Sequence, residues 1–309
     1  MSVDPAVLVL LTVISAATPL LYAALGELVV ERSGVLNLGI EGMMLAGAVT
    51  AFATAVGTGS GAAGIVAGAL AGAAMALIFA VLTVSLLSNQ VATGLALTIF
   101  GIGLSALVGS GFVGVPTMRL PRLNVPGLTD LPVVGPLLFS HDFLIYLSIA
   151  MTVAVAWFLN RTRAGMVLRA VGESHDAAHS IGYPVVRIRY LAILFGGIMS
   201  GLGGAFLSLS YTPMWVEGMT AGRGWIALAL VVFSAWRPGR LLLGAYLFGG
   251  VTIVQLYAQG TGAYEGPAQL LSMLPYLATI LVLTVISAGP WKGWLNAPAC
   301  LGKPFLPTV

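Results

Sequence analysis

Charge is what this chain has least of. Of 309 residues, 13 are Lys or Arg and 10 are Asp or Glu, a charged share of 7%, where a soluble domain carries about 25%. A water-facing surface cannot be built from so few, which excludes a soluble enzyme and a disordered tail. Cysteine is nearly absent too: Cys300 stands alone, excluding an internal disulfide and a cysteine-rich metal site. No basic residue precedes the first apolar run, so that run reads as a retained span rather than a cleaved signal peptide. The formal net charge of +3 is no nucleic-acid footprint, and no nucleic-acid partner is expected; the information lies in where the charges sit.

What is present is hydrophobicity, 59% of residues with a mean hydropathy of +1.02. Between Ser33 and Met118 the only charged residue is Glu41, and between Leu241 and Trp291 it is Glu265. Such stretches lie in hydrocarbon or are buried by neighbouring helices. The expected fold is all-α: a polytopic helical bundle in a lipid bilayer, one transmembrane domain over 1–309. The expected spans are nine, at 6–29, 35–56, 62–87, 90–112, 143–160, 190–211, 224–236, 241–257 and 269–288. The seventh is too short to cross about 30 Å as a straight helix, so it is a half-helix or begins inside the preceding loop.

Basic residues stay on the cytoplasmic side. With the N-terminus outside, the inner segments collect Arg32, Arg161, Arg163, Arg169, Arg187, Arg189, Arg237, Arg240, Lys292 and Lys303, against Arg119, Arg122 and Arg223 outside. That orientation puts the C-terminus inside. The outer connection from Val113 to His141 holds Pro116, Pro121, Pro126, Pro132 and Pro136; it is expected to be no regular helix and to cap the external mouth. The inner connection, 161–189, is polar and reads as a short amphipathic helical element on the cytoplasmic surface. Small residues at spacing four, Ser60, Gly64, Gly68 and Gly72 in the third span and Gly196, Ser200 and Gly204 in the sixth, mark close helix approaches, read as packing within the subunit.

No phosphate-cradling loop of the form GxxxxGK[ST] exists, so the chain has no ATPase site of its own. Asp4, Asp130, Asp142, Glu217 and Glu265 map to ends or loops, which leaves proton-coupled transport without its usual buried relay. The exception is Glu27, Glu31, Arg32, Asn37 and Glu41 around the first turn. Two readings stand open: an ion-pair cluster holding a broken helix, with Arg32 reaching Glu31 or Glu41, or Asn37 and Glu41 beside a translocation path. Gln90, Thr93 and Thr98 are further candidates for that path, with helix-to-helix hydrogen bonding as the alternative. His175 and His179, four apart, lack a closed ligand set, so no metal is expected. Trp215, Trp225, Trp236, Trp291 and Trp294 read as interface anchors, with stacking on a ring-shaped solute a second reading for Trp225 or Tyr211.

Two stretches carry a resemblance. The run from Glu31 to Met44 (ERSGVLNLGIEGMM), preceded by TPLLYAALG from Thr18 to Gly26, resembles the amino-terminal signature of ABC importer permeases of the nucleoside and simple-sugar family, related to branched-chain amino acid and ribose permeases. GMVLRAVGE from Gly165 to Glu173, followed by Ala177, Ala178, Gly182 and the Gly-rich run from Gly196 to Gly204, is similar to the cytoplasmic coupling loop and next span of that family. IALAL at Ile226, WRP at Trp236 and GAYLFG at Gly244 match as well.

The resemblance implies a membrane subunit in a bacterial inner membrane that delivers a nucleoside, or else riboflavin or a simple sugar. It implies an ABC ATPase that uses the ATP, a second permease subunit, identical or not, and an external substrate-binding lipoprotein; no cofactor of the chain's own is expected. Arg169, Gly172, Glu173, Ala177, Ala178 and Gly182 then correspond to the coupling motif that docks on the ATPase, with Arg169 and Glu173, four apart, offering a polar clasp. The rival classes are a stand-alone secondary carrier or channel, and a membrane-embedded enzyme, the latter disfavoured because no nucleophile with a base lies within the spans.

Overall fold

The protein is seen in a computed structural model that describes residues 5–116, 119–123, 134–260 and 297–306, with isolated positions between 267 and 284. Regular structure among the described residues is helical: α1 (Pro5–Arg32), α2 (Ile40–Thr58), α3 (Gly61–Ala80), α4 (Gln90–Gly109), α5 (Val134–Phe139), α6 (Phe143–Arg161), α7 (Arg163–Glu173), α8 (His175–Ser180), α9 (Val185–Phe206), α10 (Arg223–Phe233) and α11 (Pro238–Gly260). Wide π turns extend α3 through Val81–Ser85 and α9 through Leu207–Tyr211. Seven helices are long and apolar enough to cross a bilayer, α1, α2, α3, α4, α6, α9 and α11. The predicted seventh span is the 11-residue α10, about 16 Å long at 1.5 Å per residue, a half-helix. The ninth predicted span, with Asp4, Asp130, Glu265, Trp291, Lys292 and Trp294, lies wholly or largely outside the described residues.

Burial sorts the helices into an inner and an outer set. The most apolar stretch of α9 is 78% buried and that of α2 72%, whereas those of α4 and α11 are 28% buried. The outer helices turn Leu70, Ile99, Leu107, Val153 and Leu243 outward, a belt of large apolar side chains that only hydrocarbon solvates without cost.

What lets α9 sit inside is the absence of side chains where it meets its neighbours. A Cβ on Gly201 would come 2.2 Å from the Gly68 carbonyl oxygen, one on Gly72 2.1 Å from that of Gly197, and one on Gly204 2.0 Å from that of Met44. The backbones of α2, α3 and α9 therefore touch directly, as small residues allow in lipid. The predicted small-residue faces do pack within the subunit. The sequence reading placed Gly196, Ser200 and Gly204 on one face but missed that Gly197 and Gly201, the other spacing-four pair, make the contact to α3, while Gly196 faces Val30 of α1. Ser60 belongs to the cap of α3, accepting from the Ala63 amide at 3.3 Å.

The outer connection contains one short helix after all, α5, with Pro136 in its first turn where the missing N–H has no helical partner to lose. Around it the chain is tied down by Leu120 donating to the Leu209 carbonyl (3.3 Å) and Leu123 to that of His141 (2.9 Å). The inner connection is two helices, α7 and α8, each started by a hydroxyl cap: Thr162 accepts from the Gly165 amide and Ser174 from that of Ala177.

Gly201→Leu or Gly72→Leu is expected to abolish recovery of monodisperse protein on size exclusion in detergent. Gly103→Leu, on α4 with nothing within 4 Å of its Cβ position, is expected to leave recovery unchanged.

Candidate functional site: a half-helix held at both ends, and a strapped hairpin

The first turn does not run outside the bundle. After Arg32 the chain reverses at Gly34, whose φ of +87° suits glycine, and climbs back between the helices. Leu36 donates to Gln90 Oε1 (2.8 Å), Asn37 to Glu27 Oε1 (3.0 Å) and Gly39 to Asn37 Oδ1 (2.9 Å), while Thr98 Oγ1 donates to the Leu38 carbonyl (2.9 Å). Glu27 lies five residues before the end of α1, so Asn37 has already returned about 7 Å into the bundle. Non-helical backbone at that depth persists only where protein satisfies its polar groups. Asn37, Gln90 and Thr98 do so here, and Glu27, Asn37, Gln90 and Thr98 are all buried. Thr93 is half-buried and shares a hydrogen bond with Ser88 (2.9 Å).

Beyond α9 the chain re-enters again. Trp215 packs against Ala48, Val49 and Phe52 of α2, and residues 212–222 descend without helix to Glu41. That carboxylate accepts from Thr220 Oγ1 (2.6 Å) and the Gly222 amide (2.9 Å) with one oxygen, and from the Gly224 amide (2.6 Å) with the other. Gly222 and Gly224 flank the start of α10, so Glu41, though in α2 and 181 residues before Gly222, is its cap. A negative charge on the amide end of a helix is also favoured by the helix dipole. The approach is close enough that a Cβ on Gly224 would lie 2.7 Å from Glu41 Cα.

The same acidic segment holds the other end of α10. Trp236 Nε1 donates to Glu31 Oε2 (2.5 Å), and Arg32 donates from Nε and Nη2 to the Trp236 carbonyl at 3.3 and 3.1 Å. The expected ion pairs are therefore not formed. Arg32 serves a carbonyl left over at a helix end, and both Glu31 and Glu41 are occupied by neutral donors. Glu27 Oε2 is buried without a partner. Two tryptophans expected at the interfaces, Trp215 and Trp236, are instead buried, Trp215 against side chains of α2 and Trp236 with its Nε1 on Glu31. Trp225, in the first turn of α10, is 37% exposed, and Tyr211 carries the Arg223 guanidinium over its ring at 5.5 Å.

On the hairpin α7–α8, Glu173, Ala177 and Gly182 are exposed and Arg169 is half-buried, but Gly172 and Ala178 are buried. A Cβ on Gly172 would meet the Arg32 carbonyl oxygen at 2.2 Å, so this glycine seats α7 on the end of α1. No clasp forms between Arg169 and Glu173, whose charged atoms lie beyond 4.0 Å of each other.

What sequence reasoning missed entirely is the strap over this hairpin. Cys300 donates its amide to the Gly172 carbonyl (2.9 Å), Gly302 to that of Gly34 (3.1 Å), and Arg189 Nη1 donates to that of Lys303 (3.2 Å). Phe305 closes a small core with Val171, Ala178 and Val185 and meets the edges of both His175 and His179 at 5.3 Å. The signal was one aromatic residue in a proline-rich tail, too little to read without the partner surface.

His175 Nδ1 lies 3.1 Å from Arg189 Nη2 and accepts from it. Burial first, then Arg189 and Lys303, hold its imidazole below the ordinary value, with Asp176 opposing.

With the geometry in view, comparison with known proteins is decisive about class. Residues 9–283 match the family described as branched-chain amino acid transport system / permease component. The protein TsgC13 of Haloferax volcanii, whose name describes a glucose ABC transporter permease, is 43% identical over 292 residues, covering 88% of this chain and 89% of its own. The guanosine ABC transporter permease NupQ of Bacillus subtilis is 31% identical over 303 residues (94% and 93%). The nucleoside ABC transporter permease NupC of Lactococcus lactis is 30% identical over 281 (87% and 89%). The chain belongs to this permease family. It is a multi-pass membrane subunit of an ABC transporter, and as such has no ATPase site of its own.

Two outcomes follow from this geometry. Glu41→Ala leaves two backbone amides and a hydroxyl without their acceptor; at about 1–3 kcal/mol per buried orphan it is expected to lower the thermal midpoint by several degrees and to expose 212–224 to protease, whereas Glu41→Gln, which keeps one acceptor oxygen, is expected to fall between. At His175 the folded state binds fewer protons than the unfolded one, so its contribution is complete above a pH of about 6.5 and is lost as pH falls below that. The hydrogen-exchange protection factors of the amides of residues 300–305, taken relative to intrinsic exchange at each pH, are expected to fall between pH 7.5 and 5, and His175→Gln to remove that dependence.

Proposed function

We propose that this permease serves an ATP-driven importer of nucleosides, with residues 1–309 as one transmembrane domain and 161–189 as its coupling loop. The observation that carries this reading is the hairpin α7–α8: both helices are capped, the strap fixes them to the end of α1, and the outward face is left free. Arg169, Gly172, Glu173, Ala177, Ala178 and Gly182 form the coupling element, but with divided labour. Gly172 and Ala178 are buried and join the element to α1 and the strap. Exposed Ala177, Ile181, Gly182 and Tyr183 supply the surface an ABC ATPase receives. A rigid hairpin anchored to α1 transmits closure of that ATPase to the first turn and hence to α10.

The orientation in this reading is N-terminus outside and C-terminus in the cytoplasm of a bacterial inner membrane, set by the arginine distribution. ATP is used by the partner, and the permease carries no cofactor. A second permease subunit and an external substrate-binding lipoprotein complete the assembly. The solute path runs past the broken helix, since interrupted helices deep in the bilayer are where transporters bring backbone and polar groups together. Half-open Thr93 and Trp225 touch the solute, and Asn37, Glu41, Gln90 and Thr98 hold the backbone beside them. Nucleosides are favoured by two relatives named for them. A simple sugar is the second reading, favoured by the relative named for glucose at 43% identity.

The test is uptake of labelled guanosine and of glucose by proteoliposomes holding the permease, its ATPase and its binding protein. Uptake is expected only with ATP and all partners; uptake by the permease alone would contradict the reading. Ile181→Asp and Tyr183→Asp are expected to cut ATPase co-purification at least tenfold with unchanged permease yield, and Trp225→Ala to lower uptake while leaving co-purification intact.

A further inference from the structure

A second feature lies at the same end as the coupling hairpin and shares Arg169 and Glu173 with it. Between the end of α1, the α6–α7 hairpin and the start of α11 lies a cavity of about 940 Å³. Four arginines line it, Arg32, Arg169, Arg237 and Arg240, with Glu173 as the one acidic side chain among its described lining residues. Arg169 and Arg237 both repel the Arg32 guanidinium, while Glu173 attracts it. No described carboxylate comes within 4.0 Å of Arg32, Arg169 or Arg237. The Arg169 Nε is buried and has no hydrogen-bond partner. Cations clustered as Arg32, Arg169 and Arg237 are, with no described carboxylate paired to them, raise the energy of the protein unless an anion joins them.

The walls state what kind of anion. Above the arginines the cavity is lined by Ala156 and Leu159 of α6 and by Leu243 of α11, and Leu243 is 71% exposed on the belt that faces hydrocarbon. The cavity is thus basic where the spans end and apolar where they enter the membrane. We infer that it is a binding site for the phosphate headgroup of an anionic phospholipid, with guanidiniums around the phosphate and an acyl chain leaving along Leu243. Planar guanidiniums suit phosphate oxygens through paired hydrogen bonds, and basic pockets between spans on the cytoplasmic side take such headgroups. A free phosphate shares the headgroup chemistry but would have no use for the apolar wall. This inference does not depend on which solute is carried.

The experiment is native mass spectrometry on detergent-purified, delipidated permease offered phosphatidylglycerol, phosphatidylcholine or inorganic phosphate. One retained phosphatidylglycerol, at least tenfold preferred over phosphatidylcholine and not displaced by millimolar phosphate, is expected. Arg237→Gln and Arg240→Gln, at the cavity rim, are each expected to weaken retention about fivefold, the equivalent of about 1 kcal/mol per charge near a membrane surface. Arg237→Lys and Arg240→Lys should retain most of it, and a single size-exclusion peak confirms that each variant is folded. Equal retention of the two lipids, binding of phosphate without lipid, or glutamine variants that keep the lipid but lose the ATPase would overturn the assignment, the last of these in favour of a protein-docking surface.

Discussion

One requirement governs this molecule: backbone N–H and C=O groups that leave a helix inside hydrocarbon must find protein partners. The chain leaves helix twice at depth, at 33–39 and at 212–222, and both excursions end on side chains of the segment between Glu27 and Glu41. Glu27 takes the Asn37 amide, and Glu41 takes the amides that begin α10. Glu31 and Arg32 then fasten the far end of α10 through Trp236. Three acids that read as a costly burden of intramembrane charge are, in the fold, acceptors for donors that nothing else reaches.

This arrangement makes α10 a strut between two re-entrant turns. It is too short to be stable in the bilayer alone, and its burial against α1 through Ile226, Ala227, Leu230 and Val231 would not by itself satisfy its first amides. Below it, the strap from Cys300 to Phe305 ties the hairpin α7–α8 to Gly34, the residue at which the first turn reverses. The surface of the hairpin and the buried junction are therefore joined by hydrogen bonds through one short stretch of backbone. Displacement of the hairpin must either move that stretch or break it.

Much of this was legible in the sequence, and the limits have physical causes. Long uncharged runs reveal spans because hydrocarbon permits little else, so the seven long helices and the half-helix were readable, as was the amphipathic hairpin. The glycine spacing revealed close packing but not which face meets which helix, since Gly196 and Gly197 differ by one position and point to different neighbours. The polar residues at Asn37, Glu41, Gln90 and Thr98 stood out because they are rare in such a chain. Their partners did not, because those partners are backbone amides and carbonyls, which every residue has. The same reasoning explains why ion pairs were expected around Arg32: charge is visible in a sequence, whereas an unsatisfied carbonyl at Trp236 is not. Relatives named for glucose and for nucleosides are similar to this chain over most of its length, so overall similarity does not single out the solute.

The cap joining Glu41 to α10 spans 181 residues of chain, and this separation bears on biogenesis. At roughly 5–20 residues per second of synthesis, the second span waits on the order of ten to forty seconds after leaving the ribosome before its counterpart exists. During that interval the carboxylate is solvated by whatever the insertion machinery or interfacial water provides. The half-helix, too short to be released into lipid by its own hydrophobicity, emerges when the carboxylate that caps it is already in place. Its seating then precedes the insertion of α11 and the closing of the strap, which follow it in the chain.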